Sequence, residues 1–227
     1  METQATVIIL LGPPGSGKGT QAARLQSALG IPAISTGEIL RRECQSGSDL
    51  GRAVQSALDS GQLVSDELIN QVVARRLGEE DCRRGCILDG YPRTASQARY
   101  LDELLVRYSM PKPVVFDFRI PVREVVARLS RRRQCMDCGR ISWSDPQQQA
   151  TEMFCDRDGA PLTQRADDNP KVVRARLRIY IANAEELVRY YGARLVRVFA
   201  KRSPEKISDE LLRMIGVGHS TTAAWNT

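Results

Sequence analysis

Gly12-Pro13-Pro14-Gly15-Ser16-Gly17-Lys18-Gly19-Thr20 is the stretch of this 227-residue sequence whose residue types and spacing speak most directly of chemistry. The spacing is G-x-x-x-x-G-K, directly after the apolar run Val7 to Leu11 and directly before a segment of helical period. Glycines let the backbone curl until successive N–H groups face one anion, and a helix starting there adds its positive end. A lysine closing such a loop reaches the outer phosphates of a nucleoside triphosphate. Gly15, Ser16, Gly17, Lys18, Gly19 and Thr20 are therefore candidate phosphate contacts, with a chance Gly-rich turn as the ordinary alternative. Gly19 is unusual, because many loops of this kind carry a magnesium-ligating Ser or Thr after the lysine. Thr20 comes one place later, so magnesium is expected to be held largely through water and substrate oxygens.

A second constellation is Cys135-Met136-Asp137-Cys138 with Cys155-Asp156-Arg157-Asp158. Three thiolates and a carboxylate in two x₂ knuckles make a tetrahedral ligand set, and four protein ligands leave no open position for catalysis. Gly139 and Gly159 follow the knuckles and permit tight turns. The segment is too small to bury a core, so bound metal would supply its folding energy. Free thiols are the ordinary alternative. Cys44, Cys82 and Cys86 lie at no ligand spacing and read as neutral thiols.

Lysine occurs only at 18, 112, 171, 201 and 206, so 28 of the 33 basic residues are arginine. Net charge is +6. A guanidinium fork suits phosphate oxygens better than an ammonium does, although a merely basic surface gives the same composition. The single histidine, His219, lies in a small, polar tail from Gly216 onward, expected to be frayed. A histidine base is not expected. No stretch approaches the roughly 18 apolar residues of a membrane span. Met1-Glu2-Thr3-Gln4 lacks the basic start of a secretory leader, so a cytoplasmic location with reduced thiols is expected.

The elements that must position these groups read as alternating strands and helices. Strands are expected at Val7 to Leu11, Ile31 to Ile34, Cys86 to Leu88 (ending in Asp89), Val114 to Ile120 and Leu195 to Phe199. Helices are expected at Gly17 to Leu29, from Ser65 onward, at Pro121 to Ser130, Val172 to Tyr191 and Pro204 to Ile215. Ser35-Thr36-Gly37-Glu38 has capping-box spacing, with Ser35 as N-cap of a helix through Ile39 and Leu40. Residues 131–168 break the pattern and read as an insertion. The alternation implies an α/β fold with a parallel sheet.

Five segments in register resemble one family. Gly12 to Thr20 with Gln21 and Ala22 is similar to its opening. Ser35 to Arg41 and Gly61 to Glu67 resemble its acceptor-nucleotide segments, Leu88-Asp89-Gly90-Tyr91-Pro92-Arg93 with Gln97 its most specific signature, and Arg165-Ala166-Asp167-Asp168-Asn169 with Arg174 and Arg176 the end of its lid. From about Val7 to Ile215 the chain resembles the nucleoside monophosphate kinases, and within them the long-lid adenylate kinases. The resemblance implies a P-loop core with a five-stranded parallel sheet (1–34, 65–130 and 169–227), a small helical AMP-binding insertion (35–64) and a zinc-ribbon-like lid (131–168).

The resemblance further implies reversible phosphoryl transfer, ATP and AMP giving two ADP with magnesium, by a monomer. Lys18, Arg93, Arg132, Arg165 and Arg176 would be catalytic. The ATP contacts would be the loop residues with Arg128, Ile141, Ser142 and Arg202. The AMP contacts would be Thr36, Arg41, Gln62, Leu63, Val64, Gly90, Tyr91, Pro92, Arg93, Gln97, Arg165 and Arg176. Asp89 would hold magnesium through water, and Asp167 and Asp168 would orient arginines. Cys135, Cys138, Cys155 and Asp158 match the zinc-bearing lids, Asp variant included. Thr36 and Gln97 lean toward adenine, since the Gln97 amide donates and accepts at once. Departures are Glu38 for a usual Asp, Tyr91 for a more frequent Phe, and the absence of Asp-Gly after Phe199, which leaves the Arg202 contact open. Rival readings are a GTP donor, a UMP or CMP acceptor, an inactive nucleotide sensor, or a nucleic-acid-binding ATPase with a zinc ribbon, motivated by Arg131-Arg132-Arg133. Gly90 after Asp89, where such ATPases place a water-activating Glu, counts against the last.

Overall fold

In the computed structural model residues 5–144 and 153–216 are described, so the expectations for Met1 to Gln4 and for the tail with His219 fall outside it. Strand β1 (Thr6–Leu11) leads through the glycine loop into α1 (Lys18–Leu29); β2 (Ala33–Ser35) leads into α2 (Thr36–Ser46), α3 (Asp49–Ser60) and α4 (Asp66–Leu77). Next come β3 (Gly85–Asp89), α5 (Ala95–Arg107), β4 (Val114–Arg119) and α6 (Val122–Arg131). Three short strands follow, β5 (Arg132–Cys135), β6 (Ile141–Trp143) and β7 (Leu162–Thr163), then α7 (Pro170–Tyr191), β8 (Leu195–Phe199) and α8 (Pro204–Met214).

The main sheet has the order β2-β3-β1-β4-β8 and every pairing is parallel. The period-two rule explains its two covered faces. Val7, Ile9 and Leu11 of β1 join Cys86 and Leu88 of β3 in the core beneath α4 and α5. Ile8 and Leu10 join Ile87, Phe116 and Phe118 in the core beneath α1 and α8. Aliphatic residues dominate both layers, as the low aromatic content requires. Strands β5, β6 and β7 form a separate antiparallel sheet of order β6-β5-β7. No helix among the described residues is long and apolar enough to cross a membrane.

The five expected core strands and the helices named from the sequence form. One detail is corrected. Ser35 precedes α2, but its side chain takes no capping hydrogen bond. It is the last residue of β2, paired in register with Asp89, so its extended backbone belongs to the sheet. Glu38 points instead toward Arg165, at 3.9 Å. Ser65 and Thr94, by contrast, do cap α4 and α5, accepting from Leu68 N and Gln97 N.

Helices α2 and α3 approach unusually closely at Gly51. A Cβ there would stand 2.1 Å from the Glu43 carbonyl oxygen, and Cys44 Sγ donates to Gly51 O at 3.3 Å in the same contact. Alanine is the better helix former by about 1 kcal/mol, so propensity and packing oppose each other at this position. Backbone cannot move aside as a flexible side chain can, and packing wins. Gly51→Ala is expected to destabilise by about 1–3 kcal/mol in urea unfolding, the usual range for overpacking. A gain in stability would show that α2 and α3 are not held this closely.

Candidate active site

The site lies at the carboxyl ends of β1 and β3, where β1 has neighbours leading away in both directions, the usual crevice of an open parallel sheet. Gly12, Gly15 and Gly17 all have positive φ. At Gly15 a side chain would also meet Leu129, 2.9 Å from its Cγ. No side chain caps α1 and no acid occupies its first turn, so its N–H groups stay free for an anion. Lys18 Nζ folds back onto the carbonyls of Gly12 and Pro13, each at 2.9 Å.

Asp89 ends β3, paired in register with Leu10 of β1. Its Oδ2 is 3.3 Å from where a Cβ at Gly19 would stand. That gives a physical reason for the glycine after the lysine, since a larger residue there would crowd the carboxylate.

One cavity of about 550 Å³ gathers Gly15, Gly17, Lys18, Gly19, Thr20, Asp89 and Ile141 with Arg41, Arg93, Arg132, Arg165 and Arg176. A second, smaller one beside it, about 50 Å³, is lined by Thr36, Gln62, Leu63, Val64 and Gln97, and shares Arg41, Gly90, Arg93 and Arg176 with the first. Pro92 lines the larger cavity. The arginines are aimed by carboxylates. Arg132 makes a two-pronged pair with fully buried Asp168, Nε to Oδ2 at 2.8 Å. Arg176 reaches Asp167 at 2.8 Å, and Arg41 reaches the same oxygen at 3.5 Å. Asp167 Oδ1 is buried without a partner. Arg165 donates to Gln134.

Crowding of like charges shows in the ionisation. Burial, opposed by Asp89 and aided by Arg93, Arg176 and Arg132, lowers the Lys18 ammonium to about 8. Burial and the neighbouring arginines push Arg93 and Arg165 down to about 10. Each of these cations is easier to charge once an anion joins it.

Some expected residues stand outside the cavities. Ser16 is buried under the loop, its N–H donating to Pro13 O at 3.2 Å. Tyr91 is fully buried, its hydroxyl donating to Asn70 Oδ1 at 2.6 Å. Arg128 donates to the carbonyls of Ala200 (2.8 Å) and Ser16 (3.5 Å), buttressing the loop from behind. Ser142 pairs with Arg133 in the small sheet, while its neighbours Ile141 and Trp143 line the cavity. Arg202 turns to Phe199 O and Glu210. Residues not singled out from the sequence also line the cavity, among them Arg140, Trp143 and, from α7, Ile179, Tyr180 and Leu187. Helical spacing from Arg176 was the signal for the α7 group.

In the small sheet the four ligating atoms of Cys135, Cys138, Cys155 and Asp158 lie within 4.8 Å of one another. Cys138 Sγ and Cys155 Sγ are 3.6 Å apart, and Cys135 Sγ is 3.4 Å from Asp158. Zinc–sulfur bonds of about 2.3 Å in a tetrahedron give edges of about 3.8 Å, so the set fits. The two knuckles repeat one geometry. Gly139 N donates to Cys135 O and Cys135 N to Arg140 O; Gly159 N donates to Cys155 O and Cys155 N to Ala160 O. Both glycines have positive φ.

A profile of the family described as "Adenylate kinase" matches residues 10–196. The chain belongs to the adenylate kinase family. It is 43% identical over 203 residues to "Adenylate kinase" of Anaeromyxobacter sp. (strain Fw109-5), covering 88% of this chain and 95% of that one. To "Adenylate kinase" of Thermotoga maritima it is 42% identical over 212 residues, 92% of this chain and 96% of that one. As an adenylate kinase it is an enzyme, a nucleoside monophosphate kinase whose family uses Mg-ATP.

The lowered ionisation of Lys18 has two consequences of defined sign. The folded value, about 8 against an ordinary 10.5, means the folded chain binds fewer protons than the unfolded one between those limits. Lys18 therefore weakens the ligand-free fold fully below about pH 8, and this fades as pH rises toward 10.5. For binding the sign reverses, because an uncharged amine loses its hold on phosphate. kcat/KM for ATP is expected to fall above about pH 8, while kcat at saturating nucleotide holds to higher pH because bound phosphate restores the charge. A flat kcat/KM profile to pH 10 would overturn this account of Lys18.

Proposed function

We propose that the chain transfers the γ-phosphoryl group of Mg-ATP to AMP, giving two ADP, in a reversible reaction. The observation that carries this is the convergence of Lys18, Arg93, Arg132, Arg165 and Arg176 on one cavity, with Asp89 at its floor. Phosphoryl transfer runs through a loose transition state with charge spread over the moving oxygens, so alignment and fixed positive charge supply most of the catalysis. The loop N–H groups, Thr20 and Lys18 would hold the donor phosphates. Arg41 and Arg93 would hold the acceptor phosphate, and Arg132, Arg165 and Arg176 would face the group in flight. Asp168 and Asp167 keep two of these arginines aimed before substrate arrives.

Asp89 would hold magnesium through water, the ion neutralising charge between the outer phosphates. Ile141, beside the loop, suits the donor base, with Ser142, Arg128 and Arg202 as further contacts in the proposal; Thr36 and Gln97 suit the acceptor base. Residues 35–64 and 131–168 act as an AMP-binding insertion and a lid that meet through Arg41 with Asp167 and Glu38 with Arg165. Meeting there excludes water that would otherwise hydrolyse ATP. In a coupled assay, ATP with AMP is expected to form ADP far faster than ATP with UMP, CMP or GMP. No ADP from ATP and AMP would overturn the proposal.

The Cys135, Cys138, Cys155 and Asp158 set fits a structural zinc that staples the lid without touching the chemistry. Purified protein is expected to contain about one zinc per chain. Chelation is expected to lower the melting temperature and to loosen the lid, because the small sheet has little core of its own. Unchanged melting after complete metal removal would reduce the cluster to free thiols.

A further inference from the structure

Gln97 lies in the first turn of α5, with both ends of its amide already engaged. The side chain is 2% exposed. Its Oε1 accepts from the Arg93 backbone N–H at 2.7 Å, and its Nε2 donates to Asp66 Oδ1 at 2.7 Å. The other oxygen of Asp66 accepts from Thr94 Oγ1 at 3.0 Å, and that hydroxyl accepts from Gln97 N at 3.1 Å. The signature loop, the start of α5 and the start of α4 thus close into one hydrogen-bonded ring.

The ring leaves the amide one orientation. A backbone N–H can only donate, so Arg93 must face the amide oxygen; an ionised carboxylate can only accept, so Asp66 must face the NH₂. Turning the amide over would set two acceptors against each other at Asp66 and two donors against each other at Arg93. Partner chemistry, not the placement of atoms, fixes which end is which. Gln97 lines the smaller cavity, and by donor and acceptor count its amide keeps one further N–H and one further oxygen lone pair in a set order.

We propose that Asp66 is a specificity-positioning residue, locking the Gln97 amide in the order that accepts a 6-aminopurine monophosphate and rejects a 6-oxopurine one. The inference rests on the reading of the smaller cavity as the acceptor-base site. A 6-aminopurine presents a donor at its exocyclic nitrogen and an acceptor at the adjoining ring nitrogen. A 6-oxopurine presents the reverse, an acceptor and a donor, and would need the amide turned over. Buried groups left unpaired reject a ligand far more strongly than a lost apolar contact does. Asp66→Asn lifts one of the two constraints and reverses its preference. An asparagine whose oxygen keeps accepting from Thr94 Oγ1 turns its NH₂ to Gln97 and favours the turned amide, with only the Arg93 N–H left to oppose it.

The test measures initial rates with ATP and either AMP or inosine monophosphate for the full chain and for Asp66→Asn. The AMP to inosine monophosphate ratio of kcat/KM is expected to fall on the order of tenfold, with the inosine monophosphate value rising in absolute terms. A structural role alone would lower both acceptors together, and an unchanged ratio in a variant of native melting behaviour overturns the proposal. Asp66→Ser, whose hydroxyl faces either way, repeats the reading with a smaller side chain. Loss of folding in both variants assigns Asp66 to the fold and equally overturns it. Failure of the unsubstituted chain to use AMP would instead overturn the acceptor reading beneath it.

Discussion

Several cations confined in one low-dielectric cavity repel one another, and the fold has to hold them there before any phosphate arrives. The burden falls on a three-residue turn, Ala166–Asp168, whose two acids reach in different directions. Asp168, fully buried, takes Arg132 from the start of the lid. Asp167 takes Arg176 from α7 and Arg41 from α2. Removing charges from water usually costs as much as their pairing returns, so these pairs are weak candidates for net stability. Their effect is geometric: they determine where each guanidinium points. Burial, and after it the remaining excess of positive charge, lowers Lys18, Arg93 and Arg165, and an anionic substrate relieves the excess. The cavity is electrostatically incomplete by construction, which is how binding energy is reserved for phosphate.

The lid faces the opposite problem. Its large apolar side chains Met136, Trp143 and Phe154 stand at about half exposure, so apolar burial cannot hold its three short strands. Two knuckles with the same backbone hydrogen bonds bring four ligands to tetrahedral spacing in place of a core. A metal cross-link there would keep the small sheet rigid, and rigidity matters because β5 begins with Arg132 and Ile141 opens β6. Cys135 of the cluster lies three residues after Arg132 on one strand. Stability of the lid and aim of Arg132 into the cavity are therefore coupled.

Where a motif has a local physical meaning, the sequence carried it. The glycine loop, the knuckles and the strands of the core are visible because period, turn chemistry and ligand spacing are set within a few residues. Helices α3 and α5 were less visible as separate elements, the first because its close contact at Gly51 is with α2 rather than with the sheet. The Ser35 to Glu38 capping box misled because the same residue was needed by β2, a demand that pattern alone does not reveal. Long-range partners were the least legible. Nothing in Asp66-Glu67-Leu68 announces a bond to Gln97, 31 residues on. Arg128, Ser142 and Arg202 share the family's motif positions but turn to carbonyls, a strand partner and a carboxylate respectively. Motif register names a position; it does not aim a side chain.

Gly19 and Asp89 show how such aiming propagates. A Ser or Thr after the loop lysine would bring its own ligand atom to magnesium, but it would also stand against Asp89, whose oxygen lies 3.3 Å from the Cβ position. With glycine there, the carboxylate can come in close to the loop. From that place it acts on Lys18 as well, opposing the burial that lowers the ammonium's ionisation. In the proposed reaction one acid at the end of β3 would thus favour the charged lysine and hold the ion through water. Moving the ligand from the loop to the neighbouring strand ties both functions to the register of β1 with β3, in which Leu10 faces Asp89. A slip of one residue in that pairing would turn Asp89 to the other face of the sheet and lose both at once.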